Sequence, residues 1–205
     1  MDTENSESVG RKSKGIKDIV RALSETRPGT HSIVVYPDLV TFREIYVPFT
    51  KLELERNQIV LMLSHYETVD NVLQYLSNSG FNVQDYLDSG SLLILDARQA
   101  FFTDGVDDPM NGNGNIVTLM RIIQTQADKL RKDGVTIIVD LGCFFPFAGT
   151  NNLIKYEKSI PKMFRNSSLK QLCTYHQRDF DQRFSPSEMA NLLDQHGRSI
   201  LMIDS

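Results

Sequence analysis

From residue 31 onward, short runs of continuous apolar residues alternate with longer stretches of helical spacing. The run Ser32-Ile33-Val34-Val35-Tyr36 is β-branched and bounded by Pro37-Asp38, which reads as a buried strand followed by a turn. Asp38 caps a predicted helix whose apolar positions are Val40, Phe42, Ile45, Tyr46 and Phe49, and Pro48 is expected to kink or end it. Residues 58–64 form a second predicted strand, followed by a helix over about 68–79 that Gly80 closes. Residues 81–89 read as a short helix or turn, and Leu92 to Leu95 as a third strand. After a polar, glycine-rich loop at 103–115 come a helix over about 116–132, a strand at 135–141, and an irregular stretch at 142–150. Residues 151–165 look helical and 170–175 form a fifth strand. Ser185-Pro186-Ser187-Glu188 opens a helix with a serine cap, proline at the first position and acid in the first turn. Residues 199–203 are the last predicted strand. The alternation predicts a three-layer α/β fold, a mostly parallel sheet flanked by helices.

The first residues break this rhythm. Residues 1–14 are polar and read as a mobile arm. Ile16, Ile19, Val20 and Leu23 share one helical face, so 15–27 is expected to hold a short basic amphipathic helix ending at Thr26-Arg27-Pro28-Gly29. Residues 28–205 then form one domain.

Composition narrows the function classes. Hydrophobic residues are 40% and charged residues 23%, which is ordinary for a folded protein. A net charge of -4 gives no basic face for nucleic acid, and no apolar run reaches the roughly 20 residues that span a bilayer. The start has no signal-peptide order and two cysteines make no disulfide framework, so the expected location is the cytoplasm.

In a parallel sheet, ligands bind beyond the carboxyl ends of the strands. A RecA-type nucleotide hydrolase carries G-x-x-x-x-G-K-[ST] after its first strand, so that backbone N–H groups and the lysine meet the phosphates. Here that place reads Tyr36-Pro37-Asp38-Leu39-Val40-Thr41-Phe42, with no glycine and no lysine, and with a carboxylate that repels phosphate. The glycine-rich Asn111-Gly112-Asn113-Gly114 follows no strand and reads as a loop. Asp140 ends an apolar strand where such enzymes place a magnesium-binding carboxylate, although turn capping explains it equally. Glu67 could stand at the same edge, or simply favour a helix start. Phe144 and Phe145, with Phe147, either fill the core or line a pocket. The candidate ligand-binding set is therefore Tyr36, Asp38, Tyr66, Glu67, Asp140, Phe144, Phe145 and Tyr175. Cys143, Cys173, His31, His65, His176 and His196 show no C-x-x-C or H-x-x-x-H spacing, so no metal or other cofactor and no catalytic residue is assigned.

The segments HSIVVYPDLVTFREIYVPF, QIVLMLSHYETVDNVLQYL, LIKYEKSIPKMF and LCTYHQRDF resemble the MEDS family of methanogen and methylotroph sensory domains, related to the RecA-like and circadian-clock ATPases. His31, the Tyr156-Glu157 pair and Cys173-x-Tyr175 are the best matches. The resemblance implies a RecA-like fold without a phosphate loop and a non-catalytic sensory role in signal transduction or transcription regulation. It also implies a small organic ligand and an output through a protein partner, such as a kinase or transcription regulator, or through a homo-oligomer. The stretch DLGCFFPFAG departs from the glycine-rich segment usual before the Tyr-Glu helix. Two other readings of the residues stand beside this one: a divergent nucleotide-binding ATPase using Asp140 and Glu67, and a protein-interaction scaffold.

Overall fold

Apolar runs bounded by turn residues become six strands: β1 (His31–Tyr36), β2 (Gln58–Ser64), β3 (Leu92–Asp96), β4 (Gly134–Asp140), β5 (Leu169–His176) and β6 (Arg198–Leu201). They form a single sheet in the order β3-β2-β4-β5-β1-β6, and every neighbouring pair is parallel. The expectation of a mostly parallel sheet thus becomes an all-parallel one, in a three-layer RecA-like arrangement. The computed structural model describes residues 15–102, 115–164 and 167–201. The expected arm at 1–14 and the stretch 111–114 lie outside them.

Strand alternation divides the core cleanly. Ile33, Val35, Leu61, Ile137, Cys173 and Tyr175 face one helical layer, and Val34, Tyr36, Met62, Ile138 and Leu172 face the other. The second layer holds α1 (Ile16–Ser24), α2 (Leu39–Glu55), α3 (Val69–Ser77) and α4 (Val83–Asp88). The first holds α5 (Ala97–Phe101), α6 (Asn115–Lys129), α7 (Phe144–Phe147), α8 (Gly149–Met163), α9 (Gln177–Arg183) and α10 (Pro186–Gln195). The inner strands β1 and β4 are buried on both faces, which is why their sequences are mostly continuous apolar runs. Among the described residues, no helix is long and apolar enough to cross a membrane.

One local expectation is narrowed and another corrected. Of the kink or end expected at Pro48, the end does not occur: α2 continues to Glu55. Proline inside a helix costs about 3 kcal/mol, but Phe49, Thr50, Glu53 and Leu54 beyond it are all buried, so packing holds the last turns in place. Residues 142–150 are not irregular. A 3-10 turn at Leu141–Cys143 runs into α7, and α8 begins at Gly149, whose φ of 73° is a left-handed value that glycine tolerates.

A polar cluster ties the α1–α2 layer to the sheet. The Glu53 carboxylate is fully buried and accepts hydrogen bonds from Ser24 Oγ and Thr136 Oγ1, each at 2.6 Å. Lys170 Nζ lies 2.6 Å from Oε2, the oxygen that Thr136 also reaches, and donates to the Ser24 carbonyl. Arg56 donates to that same carbonyl, so the orphan carbonyl at the end of α1 is satisfied twice.

Candidate functional site

β2 and β4 are neighbours, yet the helices that follow them pack on opposite faces of the sheet. That is the crevice where parallel sheets receive ligands. Asp140, the last residue of β4, is buried there and accepts N–H bonds from Gly142 and from Tyr66 across the crevice, both at 3.0 Å. Burial pushes its carboxyl up to about 7, against the pull of His65 and of the Gly142 N–H, and the Glu67 carboxylate adds to the rise. Glu67 is buried and paired with Arg43 at 2.7 Å, and the Arg43 guanidinium lies over the Tyr75 ring. Tyr36 stacks on Phe42, and the His176 ring lies edge-on to both Tyr36 and Tyr66. The hydroxyls of Tyr36 and Tyr46 and the Glu67 Oε2 are buried there without a hydrogen-bond partner. Asp38 is exposed and caps α2 by accepting from the Thr41 N–H, so the first-strand turn ends in a carboxylate.

The fold divides the eight candidate residues. Tyr36, Asp38, Tyr66, Glu67 and Asp140 share the crevice edge. Phe144, Phe145 and Tyr175 belong to the opposite layer. Phe144 is core, packed against Phe101, Phe102 and Tyr156. Phe145 meets Phe184 and is only partly buried, and Phe147 is exposed beneath Arg98.

Tyr175 instead enters a second polar group, enclosed between the sheet and α8. Its hydroxyl donates to Glu157 Oε1 at 2.6 Å. The other carboxylate oxygen lies 3.4 Å from His196 Nε2, 3.7 Å from His31 Nε2 and 3.5 Å from the Cys173 thiol. Gln171, the register partner of His31 on β5, accepts from the Tyr156 hydroxyl and donates to Cys173 Sγ. Burial would raise the Glu157 carboxyl, but the facing His196 and His31 rings and the Tyr175 hydroxyl outweigh it and hold it below the usual carboxylate range. Burial and the neighbouring His196 lower His31 to about 4, against the pull of Glu157.

The family model of the MEDS domain (MEthanogen/methylotroph, DcmR Sensory domain) matches residues 30–196. The chain belongs to the MEDS family. A search of curated proteins gives no match. The MEDS match begins one residue before His31 and ends on His196, so it encloses the whole polar group around Glu157. The family-like residues His31, Tyr156, Glu157, Cys173 and Tyr175, scattered along the sequence, all meet in this group. His196 and Gln171 were not singled out as members. His196 follows α10 at no recognisable spacing from His31, and only the pairing of β6 with β1 and the return of α10 toward α8 bring it in.

Gly142 of this MEDS domain is glycine for reasons of space. A Cβ there would lie 2.5 Å from Tyr66 Cε2 and 2.7 Å from its hydroxyl oxygen. Gly142→Ala is therefore expected to swing the half-buried Tyr66 ring away and to cost about 1–2 kcal/mol in urea unfolding. In a Tyr66→Ala background the same substitution is expected to cost less than half as much, because the two effects share one contact.

Proposed function

We propose that this MEDS-family chain is a non-catalytic sensory module in signal transduction or transcription regulation. In this reading it binds a small organic molecule at the β2–β4 crevice and passes the signal to a protein partner or to further copies of itself. The observation that carries the reading is the state of the crevice. The place of a phosphate loop holds Tyr36-Pro37-Asp38, and the Asp38 carboxylate caps α2 there. Beside it the buried Tyr36 and Tyr46 hydroxyls and the Glu67 Oε2 lack partners, and unpaired buried groups are the usual recognition points of a small polar ligand. An opening of the Arg43–Glu67 pair, whose Arg43 side chain is 23% exposed, would give access.

A divergent nucleotide hydrolase is the second reading, favoured by the approach of Asp140, Glu67 and Arg43 at one edge and by an Asp140 carboxyl near pH 7. Thermal-shift measurements with a panel of small oxygenated organic compounds and with magnesium–ATP separate the two. The sensory reading expects a compound that raises Tm, with the shift weakened in Tyr36→Phe, and expects no ATP turnover. Magnesium-dependent ATP hydrolysis that disappears in Asp140→Ala would establish the enzyme reading in its place.

A further inference from the structure

The Glu157 group poses an electrostatic problem as it stands. His196 Nδ1 lies 2.6 Å from the Leu192 carbonyl, four residues back at the end of α10. Only an N–H can approach a carbonyl oxygen so closely, so Nδ1 serves the carbonyl and Nε2 is the ring atom left to face the interior. That Nε2 faces Glu157 Oε2 at 3.4 Å without a hydrogen bond of good geometry. His31 Nε2 faces the same oxygen at 3.7 Å and also lacks a hydrogen-bond partner. Three potential metal-ligand atoms thus converge inside the protein, with His31 3%, Glu157 0% and His196 7% exposed. Burial of unpaired polar atoms is costly unless something positive sits between them.

We propose that His31 Nε2, His196 Nε2 and Glu157 Oε2 bind a divalent transition-metal ion of the zinc class. The three atoms lie within 4.8 Å of one another. Ligand atoms at about 2.0–2.1 Å around a tetrahedral zinc ion stand roughly 3.4 Å apart, so the two measured contacts are at or near that separation and small ring rotations close the site. Two imidazoles and one carboxylate are a donor set suited to zinc, and also to other first-row ions of similar softness.

The outer contacts fit as well. A histidine ligand ordinarily donates its second N–H to a carbonyl or carboxylate, which fixes its tautomer, and His196 does so to Leu192. The ligating carboxylate is held from behind by the Tyr175 hydroxyl. His196 adjoins the exposed Gly197, whose N–H bonds the His31 carbonyl and so ties the α10–β6 turn to β1. Spacing along the sequence gave no metal pattern. The three ligands come from β1, α8 and the α10–β6 turn, so only the fold assembles them.

This site lies on the opposite sheet face from the β2–β4 crevice and goes beyond the sensory reading. Its test uses the full chain, stripped of metal by a chelator and titrated with cobalt(II), then with zinc(II). One cobalt per chain is expected, with the intense visible absorption of a tetrahedral or five-coordinate ion, displaced by one equivalent of zinc. His196→Ala and Glu157→Gln are each expected to weaken binding about 100-fold or more, while their far-UV circular dichroism stays that of the wild type. Cys173→Ser is expected to bind as the wild type does. The absence of saturable binding by the folded wild-type chain overturns the proposal without recourse to any variant. So does binding that survives both substitutions, or binding lost in Cys173→Ser but kept in His31→Ala. Neither the small-molecule panel nor ATP turnover enters this readout, so the two proposals fail separately.

Discussion

Glu53→Ala is expected to destabilise the domain by about 3–5 kcal/mol, the usual effect of removing one member of a buried ion pair. Of a total stability of about 5–15 kcal/mol for a domain, that is enough to leave a measurable unfolded population. The loss arises less from the missing attraction than from what remains. Lys170, 8% exposed, keeps a charge beneath α1 and α2 with only the Ser24 carbonyl to meet it, and the Ser24 and Thr136 hydroxyls lose their acceptor. The double variant Glu53→Leu with Lys170→Met is expected to recover more than half of the loss. It removes both charges together, and the surrounding Leu23, Phe49 and Leu172 offer apolar contact. The serine hydroxyl can turn to its own helix backbone, so the residual penalty falls mainly on Thr136. Urea unfolding of the wild type, the single variant and the double variant measures this, with unchanged m-values showing that native compactness is kept. A double variant no more stable than Glu53→Ala would mean that the ion pair is needed for packing as well as for charge balance.

This cluster also marks where sequence reading stops. The strands were legible because burial on both faces makes β1, β2 and β4 largely continuous apolar runs, and the longer helices because their apolar positions repeat at helical spacing, whereas the short α5, α7 and α9 carry too few turns to show it. The spatial order β3-β2-β4-β5-β1-β6 was not legible, since a strand's sequence records that it is buried and not which strand lies beside it. The same gap hid the polar interior. Glu53 lies in a helix next to Lys51 and Glu55, where it reads as one more solvated charge, and its partner Lys170 is 117 positions further on, by the difference of their numbers. That Asp140, Tyr66 and Glu67 lie near one another at the strand ends was legible, because chain order alone puts them after parallel strands. Tyr175 was assigned to that same edge although strand alternation turns it to the other face, with Cys173 and Gln171. At Pro48 the local rule left open a kink or an end, and the buried contacts further along α2 exclude the end.

The two substitutions at Glu157 are expected to part company, and the difference tells whether its carboxylate is there for the fold or for what it binds. Glu157→Ala empties a fully buried site on α8, strands the Tyr175 hydroxyl and leaves both imidazoles facing a cavity. A loss of about 2–4 kcal/mol follows from the cavity and the orphaned donor together. Glu157→Gln keeps the shape. Its carbonyl oxygen still accepts from Tyr175, and its amide N–H groups point to the oxygen position that His196 Nε2 and His31 Nε2 now face. An amide N–H there can serve either imidazole nitrogen without a buried charge, so the metal-free amide variant is expected to lie within about 1 kcal/mol of the wild type or above it at neutral pH. A protein that is as stable with glutamine as with glutamate gains nothing in folding from the charge. The carboxylate at this position then answers to a cation that the group receives, because stability is commonly given up where a site must stay poised for binding. Chelator-treated wild type and both variants, unfolded side by side in urea at neutral pH, decide it. An amide variant as unstable as the alanine one would instead make the ionised Glu157 a structural partner of protonated histidine.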